Sequence, residues 1–293
     1  MQKSLYVIVA ALPLVLWSSP LFAAPEANLY LNSAGSNTIL AGVYTSPYTA
    51  QITPGSSYNV NSPTINVICD DFANDSYVPE DWNTNVTTLS SLTSETSPNQ
   101  NVYYGTSGNV SVSSPTMATT TLTQAQAYEV AALLAIDIDF GSATGSAAQQ
   151  DYSYALWQLF DPTGSNSPYG GSGAIGWLQN YNGFDSNSAA QAAAIPFVES
   201  YLSQAVLAVT QNSGSAASTI LSNYNVTIYS YNSSLGTPTP DSSCGGTCPT
   251  PQEFISVTQV PEAPFLEVSA VYFLLGGGSL LLFGRRRSFR ANS

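Results

Sequence analysis

Short runs of β-branched and apolar residues mark both ends of the central region as strands. Residues 37–44 and 64–72 are such runs, bounded by Gly, Pro and Asn, and residues 85–89 repeat the pattern more weakly. After a long interval the pattern returns at residues 225–231, where apolar and polar side chains alternate, and at residues 254–259. The pattern therefore predicts strands early and late in this region.

Between these strands the apolar residues change to helical spacing. Residues 122–138 begin with a capping box formed by Thr123 and Gln126. Three further helices are predicted at residues 147–160, 174–181 and 189–211. Pro196 is expected to bend or break the last of these. Strands, then helices, then strands predict an α+β fold: a β-sandwich or barrel with an inserted block of about four helices.

The N-terminal segment lies outside this pattern. Lys3 precedes an apolar run at residues 5–17, and two small alanines end the segment, as in a secretory signal peptide. Pro13 within the run argues against the alternative, a short buried helix. We expect residues 1–24 to form a signal helix that is removed on export.

The C-terminal end combines a proline-containing motif, an apolar stretch at residues 268–283 and a cluster of arginines, in that order. The motif is Val260, Pro261, Glu262, Ala263 and Pro264, and the cluster is Arg285, Arg286, Arg287 and Arg290. A helix over the apolar stretch would be about 24 Å long, slightly shorter than a bilayer core. The arginines would retain its end in the cytoplasm. An ordinary tail anchor is the alternative interpretation.

This ending resembles the PEP-CTERM sorting signal, in which a Val-Pro-Glu-Pro-like motif, a transmembrane stretch and an Arg-rich tip are recognised by an exosortase. Pro261 and Glu262 match the motif, whereas Ala263 replaces its second proline and Pro264 comes one position late. The resemblance implies a Gram-negative bacterium that makes exopolysaccharide. It also implies export through the Sec translocon, transient anchoring in the inner membrane, and cleavage by an exosortase-type protease. The implied destination is the cell envelope or the extracellular matrix.

These features divide the chain into three parts. They are a signal peptide at residues 1–24, an exported α+β domain at residues 25–259 and a sorting signal with a single transmembrane helix at residues 260–293.

The distribution of charge excludes several function classes. The chain has 5 Lys and Arg residues, 18 Asp and Glu residues and no His, and no residue between 4 and 284 carries a positive side chain. Nucleic-acid binding needs Lys and Arg to neutralise phosphates. Ser-His-Asp and Cys-His catalysis need a His base. We therefore expect a non-catalytic exported protein that binds no nucleic acid, with polysaccharide as the partner that the PEP-CTERM resemblance suggests.

The central region carries a second resemblance. Its motifs lie at residues 69–72, 155–160 and 252–254. They resemble a group of PEP-CTERM proteins with a Cys-Asp-Asp-Phe motif and a Gln-x-Ala-Ile-Trp motif, and more distantly the thioester domains of surface adhesins. In those domains the Cys condenses with a Gln four residues before the Trp, and the resulting thioester acylates a host amine.

The thioester itself is not expected in this chain. Cys69 stands at the thiol position, but Ser153 stands at the carboxamide position, four residues before Trp157, and a serine cannot form that bond. Gln149 and Gln150 come one helical turn too early, which corresponds to about 5.4 Å along the helix. A covalent adhesin is therefore the alternative function, and the resemblance is expected to be one of fold.

The three cysteines allow one disulfide and one free thiol. Cys244 and Cys248 are separated by Gly-Gly-Thr and could close a small disulfide in an oxidising compartment. Cys69 would then be a free and buried thiol. Pairing of Cys69 with Cys244 or Cys248 is the alternative.

An acidic segment is the candidate metal site of the sequence. Five carboxylates fall within twelve residues: Asp70, Asp71, Asp75, Glu80 and Asp81. Calcium prefers such oxygen ligands, although the spacing is not that of an EF-hand. The alternative is a solvated acidic loop in which Asp70 or Asp71 caps a turn. No other cofactor is expected.

A carboxylate-based, glycan-active enzyme remains a further alternative. Two carboxylates suffice for glycoside hydrolysis. Asp71 could be paired with Glu129 or Asp151, and nothing in the sequence selects one pair.

Overall fold

The structure, a computed structural model, describes residues 26–35, 38–55, 59–74, 76–163, 173–183, 186–236 and 250–261. The predicted signal peptide, the apolar tail and its arginines, and the predicted disulfide of Cys244 and Cys248 lie outside the described residues. Asp75 and the last three residues of the sorting motif also lie outside them.

Ten strands are found in the described part of the chain. They are β1 (Glu26–Ser33), β2 (Ile39–Leu40), β3 (Val43–Tyr44), β4 (Tyr48–Pro54), β5 (Thr64–Cys69), β6 (Glu80–Thr88), β7 (Asn109–Val112), β8 (Thr120–Thr123), β9 (Tyr224–Tyr231) and β10 (Phe254–Gln259). Six of them close an antiparallel barrel in the order β1-β4-β5-β10-β9-β6. The pairs β2-β3 and β7-β8 form separate two-stranded sheets.

Six α-helices accompany the barrel in the described residues. They are α1 (Leu89–Ser94), α2 (Gln124–Ile136), α3 (Ala147–Phe160), α4 (Gly173–Asn180), α5 (Ser188–Thr210) and α6 (Ser215–Leu221). A π-helical turn at Asp137–Gly141 extends α2. Helix α5 packs against α2, α3, α4 and α6, and α2 reaches strand β10 of the barrel. The domain is therefore α+β with a barrel, as the order of patterns predicted.

The register of β10 positions the residues discussed below. Phe254 pairs with Cys69 on β5 and with Tyr229 on β9. Its ring contacts Tyr48 and Trp82, with centroids 5.6 and 5.9 Å apart. The residue before the strand, Glu253, consequently lies beside the end of β5, between the barrel and helix α2.

The strand predictions were confirmed in part. Strand β10 and most of β5 and β9 fall where alternation predicted them. The predicted strand at residues 37–44 was wrong, because it folds back as the two-residue strands β2 and β3. Strands β1 and β4 were missed. In β1 the polar Asn28 is buried and its amide donates to Asn83 Oδ1 on the neighbouring strand β6 (3.4 Å), which hides the alternation.

The helix predictions agreed with the structure better than the strand predictions did. Helix α3 has the predicted bounds, and α2 begins with the predicted capping box of Thr123 and Gln126. Helix α5 runs without a break through Pro196, which is exposed, while Ala194 and Val198 on either side of it are buried. Water can hydrate the carbonyl that the proline leaves free, and packing holds the helix together. Helices α1 and α6 were not predicted.

Among the described residues, α5 is the one helix whose length and apolar composition would allow it to cross a membrane. It packs on four other helices of the domain, with Val198 and Leu202 wholly buried.

Candidate functional site

The Cys-Asp-Asp-Phe motif forms the corner at which β5 ends. Cys69 is the last residue of the strand, and Cys69, Asp70 and Asp71 have no exposed surface. The indole N–H of Trp157 on α3 donates to the Cys69 carbonyl oxygen (2.9 Å). The ring of Phe72 stacks on Trp157, with centroids 5.1 Å apart. The two motifs that carry the second resemblance therefore meet in space.

The thiol and carboxamide positions of that resemblance are connected by hydrogen bonds. The backbone N–H of Cys69 donates to Ser46 Oγ (3.1 Å), and the backbone N–H of Ser46 donates to Ser153 Oγ (3.2 Å). Ser153 Oγ in turn donates to the Gln149 carbonyl oxygen (3.0 Å). A serine hydroxyl thus stands at the position that the second resemblance assigns to a glutamine.

Nearby glutamines are held by other partners. The side-chain amide of Gln149 donates to the Ile138 carbonyl oxygen (2.8 Å), and that of Gln150 donates to the Ile39 carbonyl oxygen (3.3 Å). Gln252 was not expected at the corner. Its amide donates to the Asp71 carbonyl oxygen (2.8 Å), which also accepts from the Cys69 thiol (3.2 Å).

Asp71 caps the turn that follows the corner. Its Oδ1 accepts from the backbone N–H groups of Ala73 (2.8 Å) and Asn74 (3.2 Å) and from the Tyr104 hydroxyl (2.7 Å). Its Oδ2 accepts from the Asn74 side-chain amide (2.6 Å). Burial raises the pKa of Asp71, and these hydrogen bonds oppose the rise. This geometry is that of a turn cap, which is the alternative role expected for Asp71.

Glu253 lies at the centre of a polar cluster between the barrel and α2. Its Oε1 accepts from the Tyr128 hydroxyl (2.5 Å), and its Oε2 accepts from the backbone N–H of Tyr103 (2.9 Å) and from the Ser230 hydroxyl. The Glu253 side chain has no exposed surface. Three donors around one buried carboxylate are the arrangement that stabilises its charged form.

Asp70 lies beside Glu253 without comparable donors. Neither oxygen of its carboxyl group receives a hydrogen bond from an N–H or O–H group of the described residues, and Glu253 lies within hydrogen-bonding reach. Burial raises the pKa of Asp70 well above its ordinary value, and the charges of Glu253 and Asp71 raise it further. Burial raises the pKa of Glu253 as well, to about 7, so this pair retains a proton to higher pH than exposed carboxyl groups do.

The Cys69 thiol is protonated in this environment. Burial raises its pKa well above the ordinary value, and the charges of Asp71 and Asp70 add to the rise. A thiol is nucleophilic only as thiolate. The corner consequently lacks a thiolate nucleophile, and the position that the resemblance assigns to the carboxamide holds Ser153.

The four predicted calcium ligands that the structure describes do not share one environment. Asp70 and Asp71 are wholly buried at the corner, and Glu80 is buried at the start of β6, where its Oε2 accepts from the backbone N–H of Tyr77 (2.9 Å). Asp81 is half-buried on the same strand. In the described part of the chain, no group of three or more His, Cys, Asp and Glu side chains is placed to hold a metal ion.

A groove of about 280 Å³ lies where α1, α2, α6 and the start of β9 meet. The groove is lined by five hydroxyl-bearing side chains, one amide and three aliphatic side chains, together with Glu129 and Tyr224. Burial raises the pKa of Glu129, and neither a hydrogen bond nor a charge of the described residues opposes the rise. From the sequence, Glu129 was considered only as the second member of a carboxylate pair with Asp71. Asp71 does not line the groove.

Comparison with known proteins adds no relative: no protein-family model, no curated protein and no solved structure matches this chain.

Proposed function

We propose that this chain is an exported, non-catalytic protein of the cell surface or extracellular matrix, sorted by an exosortase-type system and associated with exopolysaccharide or the envelope. The observation that carries the proposal is the C-terminal order of a proline-containing motif, an apolar stretch and an arginine cluster. The absence of Lys, Arg and His between residues 4 and 284 supports a non-catalytic role, because most acid–base and nucleophilic mechanisms need one of them.

The geometry of the corner also supports a passive domain. A covalent adhesin needs a thiolate and a carboxamide that lie side by side away from water, so that they condense to a thioester with loss of ammonia. Cys69 is buried and protonated, and Ser153 is bonded to Ser46 in the carboxamide position. The resemblance to thioester domains is then one of architecture, in which the motif residues join β5 to α3.

The same geometry argues against a glycan-cleaving enzyme. Glycoside hydrolysis uses two carboxyl groups on either side of the scissile bond. Asp70, Asp71 and Glu253 are wholly buried, so a substrate does not reach them. Glu129 lines the groove with hydroxyl and amide side chains, which favours binding over cleavage.

The proposal is tested by the intact mass of the protein isolated from the envelope and from the culture medium of its own cells. A mass for residues 25 to about 261, less two hydrogens, is expected if both ends are cleaved and one disulfide forms. A mass that includes Arg290 would mean a permanent anchor and would overturn the sorting proposal. A mass lower by one ammonia would indicate a thioester and overturn the passive role.

A matched variant separates sorting from unspecific proteolysis. Replacing Pro261 and Glu262 by alanine removes the two matching motif residues and keeps the apolar stretch and the arginines. The uncleaved form is expected to accumulate in the inner membrane. Cleavage of this variant at the same place and with the same yield would contradict recognition of the motif.

A further inference from the structure

The groove beside α1 has the composition of a sugar-binding cleft. Its volume of about 280 Å³ is near the lower end of the roughly 300–1,000 Å³ typical of small-molecule pockets, which suits one unit of a longer polymer. Five hydroxyl-bearing side chains and one amide share the lining with three aliphatic side chains, and Tyr224 is the aromatic residue among them. The lining residues used in the argument are Thr88, Ser90, Glu129, Ser218, Tyr224 and Asn225.

An exposed aromatic ring lies beside the groove, outside the residues that line it. Phe140, at the end of the π-helical turn that follows α2, is 49% exposed. Its ring lies against that of Tyr224, with centroids 5.4 Å apart and planes at 49°. Exposed rings of this kind pack against the C–H face of a sugar, and the pair offers a surface wider than either ring alone.

Glu129 determines which sugar the groove would take. Its carboxylate is half-buried, and no N–H or O–H group of the described residues donates to it. No Lys, Arg or His between residues 4 and 284 could neutralise it, so its counter-charge must come from outside the domain. A negatively charged glycan would be repelled, whereas a protonated amine would form a charge-assisted hydrogen bond.

We infer that this groove binds an amine-bearing glycan, a hexosamine polymer with free amino groups, through a salt bridge from Glu129 and packing on Tyr224 and Phe140. The inference rests on the proposed association with polysaccharide and names the ligand class and the site. The Thr88 and Ser90 hydroxyls bond each other (3.1 Å) and Ser218 Oγ donates to the Ser215 carbonyl oxygen (3.2 Å), so these oxygens are offered to the sugar hydroxyls as acceptors. Asn225 also lines the groove. The ligand's ammonium supplies the positive charge that the domain lacks.

Calorimetric titration of the purified full-length chain in detergent tests the inference. The probes are a hexamer of β-1,4-linked glucosamine, its fully N-acetylated form and a cellulose hexamer. The glucosamine hexamer should bind, and Glu129→Gln should raise its Kd about tenfold, the effect of losing one charged hydrogen bond. Phe140→Ala should raise it roughly fivefold by removing the exposed ring. The N-acetylated and cellulose hexamers should bind at least about tenfold more weakly.

An acidic protein can attract a polycation without a site, so a charge-matched control is essential. Asp81→Asn removes one negative charge from the same strand as Thr88 but seven positions away, roughly 23 Å along the strand. This variant should bind like the parent. Equal loss in Asp81→Asn and Glu129→Gln, or equal binding of the three hexamers, would overturn the inference. Urea unfolding of each variant shows whether a loss of binding reflects a loss of fold.

The titration is independent of sorting. If a chain whose intact mass retains Arg290 binds specifically, the inference about the groove stands and only the sorting proposal is overturned. Correct cleavage without specific binding would support the sorting proposal and overturn the inference about the groove.

Discussion

At the scale of single residues, the carboxyl group of Asp70 illustrates how a domain without basic side chains accommodates buried acids. Glu253 receives hydrogen bonds from Tyr128, Ser230 and the backbone of Tyr103 and can remain charged. Asp70 has no such donors and lies beside this charge. We expect a proton to be held by this pair at neutral pH, because it removes one of two buried charges that face each other.

The protonation state of Cys69 gives a prediction at the same scale. Iodoacetamide at pH 8 should leave Cys69 unmodified in the native protein, since the thiol is buried and its pKa is raised. After unfolding in guanidinium chloride the same residue should be alkylated. Peptide mass spectrometry of the two samples measures the difference.

Two results would contradict this prediction. Rapid alkylation of the native protein would mean that the corner opens to solvent. A Cys69 peptide that resists alkylation even after unfolding, and whose mass is lower by one ammonia, would mean that the thiol is already bonded to a carboxamide.

Only part of this site could be predicted from sequence. The resemblance assigned the thiol position to Cys69 and the carboxamide position to Ser153, and the structure connects these two residues through Ser46. The partners of the buried acids could not be predicted. Tyr128 comes from α2 and Ser230 from β9, and no local pattern indicates that helix and strand converge on Glu253.

At the scale of elements, α2 shows where local signals decide the structure. Thr123 Oγ1 accepts from the backbone N–H of Gln126 (3.2 Å), and the Gln126 side chain accepts from the backbone N–H of Thr123 (3.0 Å). Both bonds join residues close in sequence, so the start of the helix could be predicted from sequence alone. Strands β1 and β4 depend on partners far along the chain and were missed for that reason.

Loss of the cap should weaken the whole domain, because α2 is buried along most of its length and contacts β10. Thr123→Ala should lower the free energy of unfolding by about 1 kcal/mol. Urea denaturation measures the change. Thr119→Ala is the matched control, since Thr119 is exposed and lies before β8. If the two substitutions lower the free energy of unfolding equally, the capping hydrogen bond of Thr123 does not stabilise the domain.

At the scale of the whole molecule, the composition changes the usual relation between charge and stability. Carboxylates in most proteins are stabilised by basic partners, which lower their pKa. Here the pKa values of Glu80 and Asp151 are raised to about 7 by burial, and those of Asp70 and Glu253 are raised as well. In an unfolded chain these groups would titrate near their ordinary values of about 4.

This difference fixes the sign of the pH dependence. Between about pH 4 and pH 7 the folded protein holds more protons than the unfolded chain. The free energy of unfolding should therefore be highest near pH 4 and fall as pH rises through that window. Each additional proton held by the folded state corresponds to about 1.4 kcal/mol per pH unit. Urea denaturation at half-unit intervals from pH 4.5 to pH 8 measures the slope.

The variant Asp70→Asn separates the buried pair from the other acids. Its amide is uncharged at every pH and can still donate to Glu253, so the slope between pH 4.5 and 7 should become shallower. At pH 8 the variant should be at least as stable as the parent, because the parent must ionise a buried carboxyl group as pH rises and the asparagine of the variant cannot ionise. Stability that rises with pH in the parent, or a slope unchanged by Asp70→Asn, would mean that Asp70 is ionised in the folded protein. A positive partner would then have to lie beside it, and none exists between residues 4 and 284.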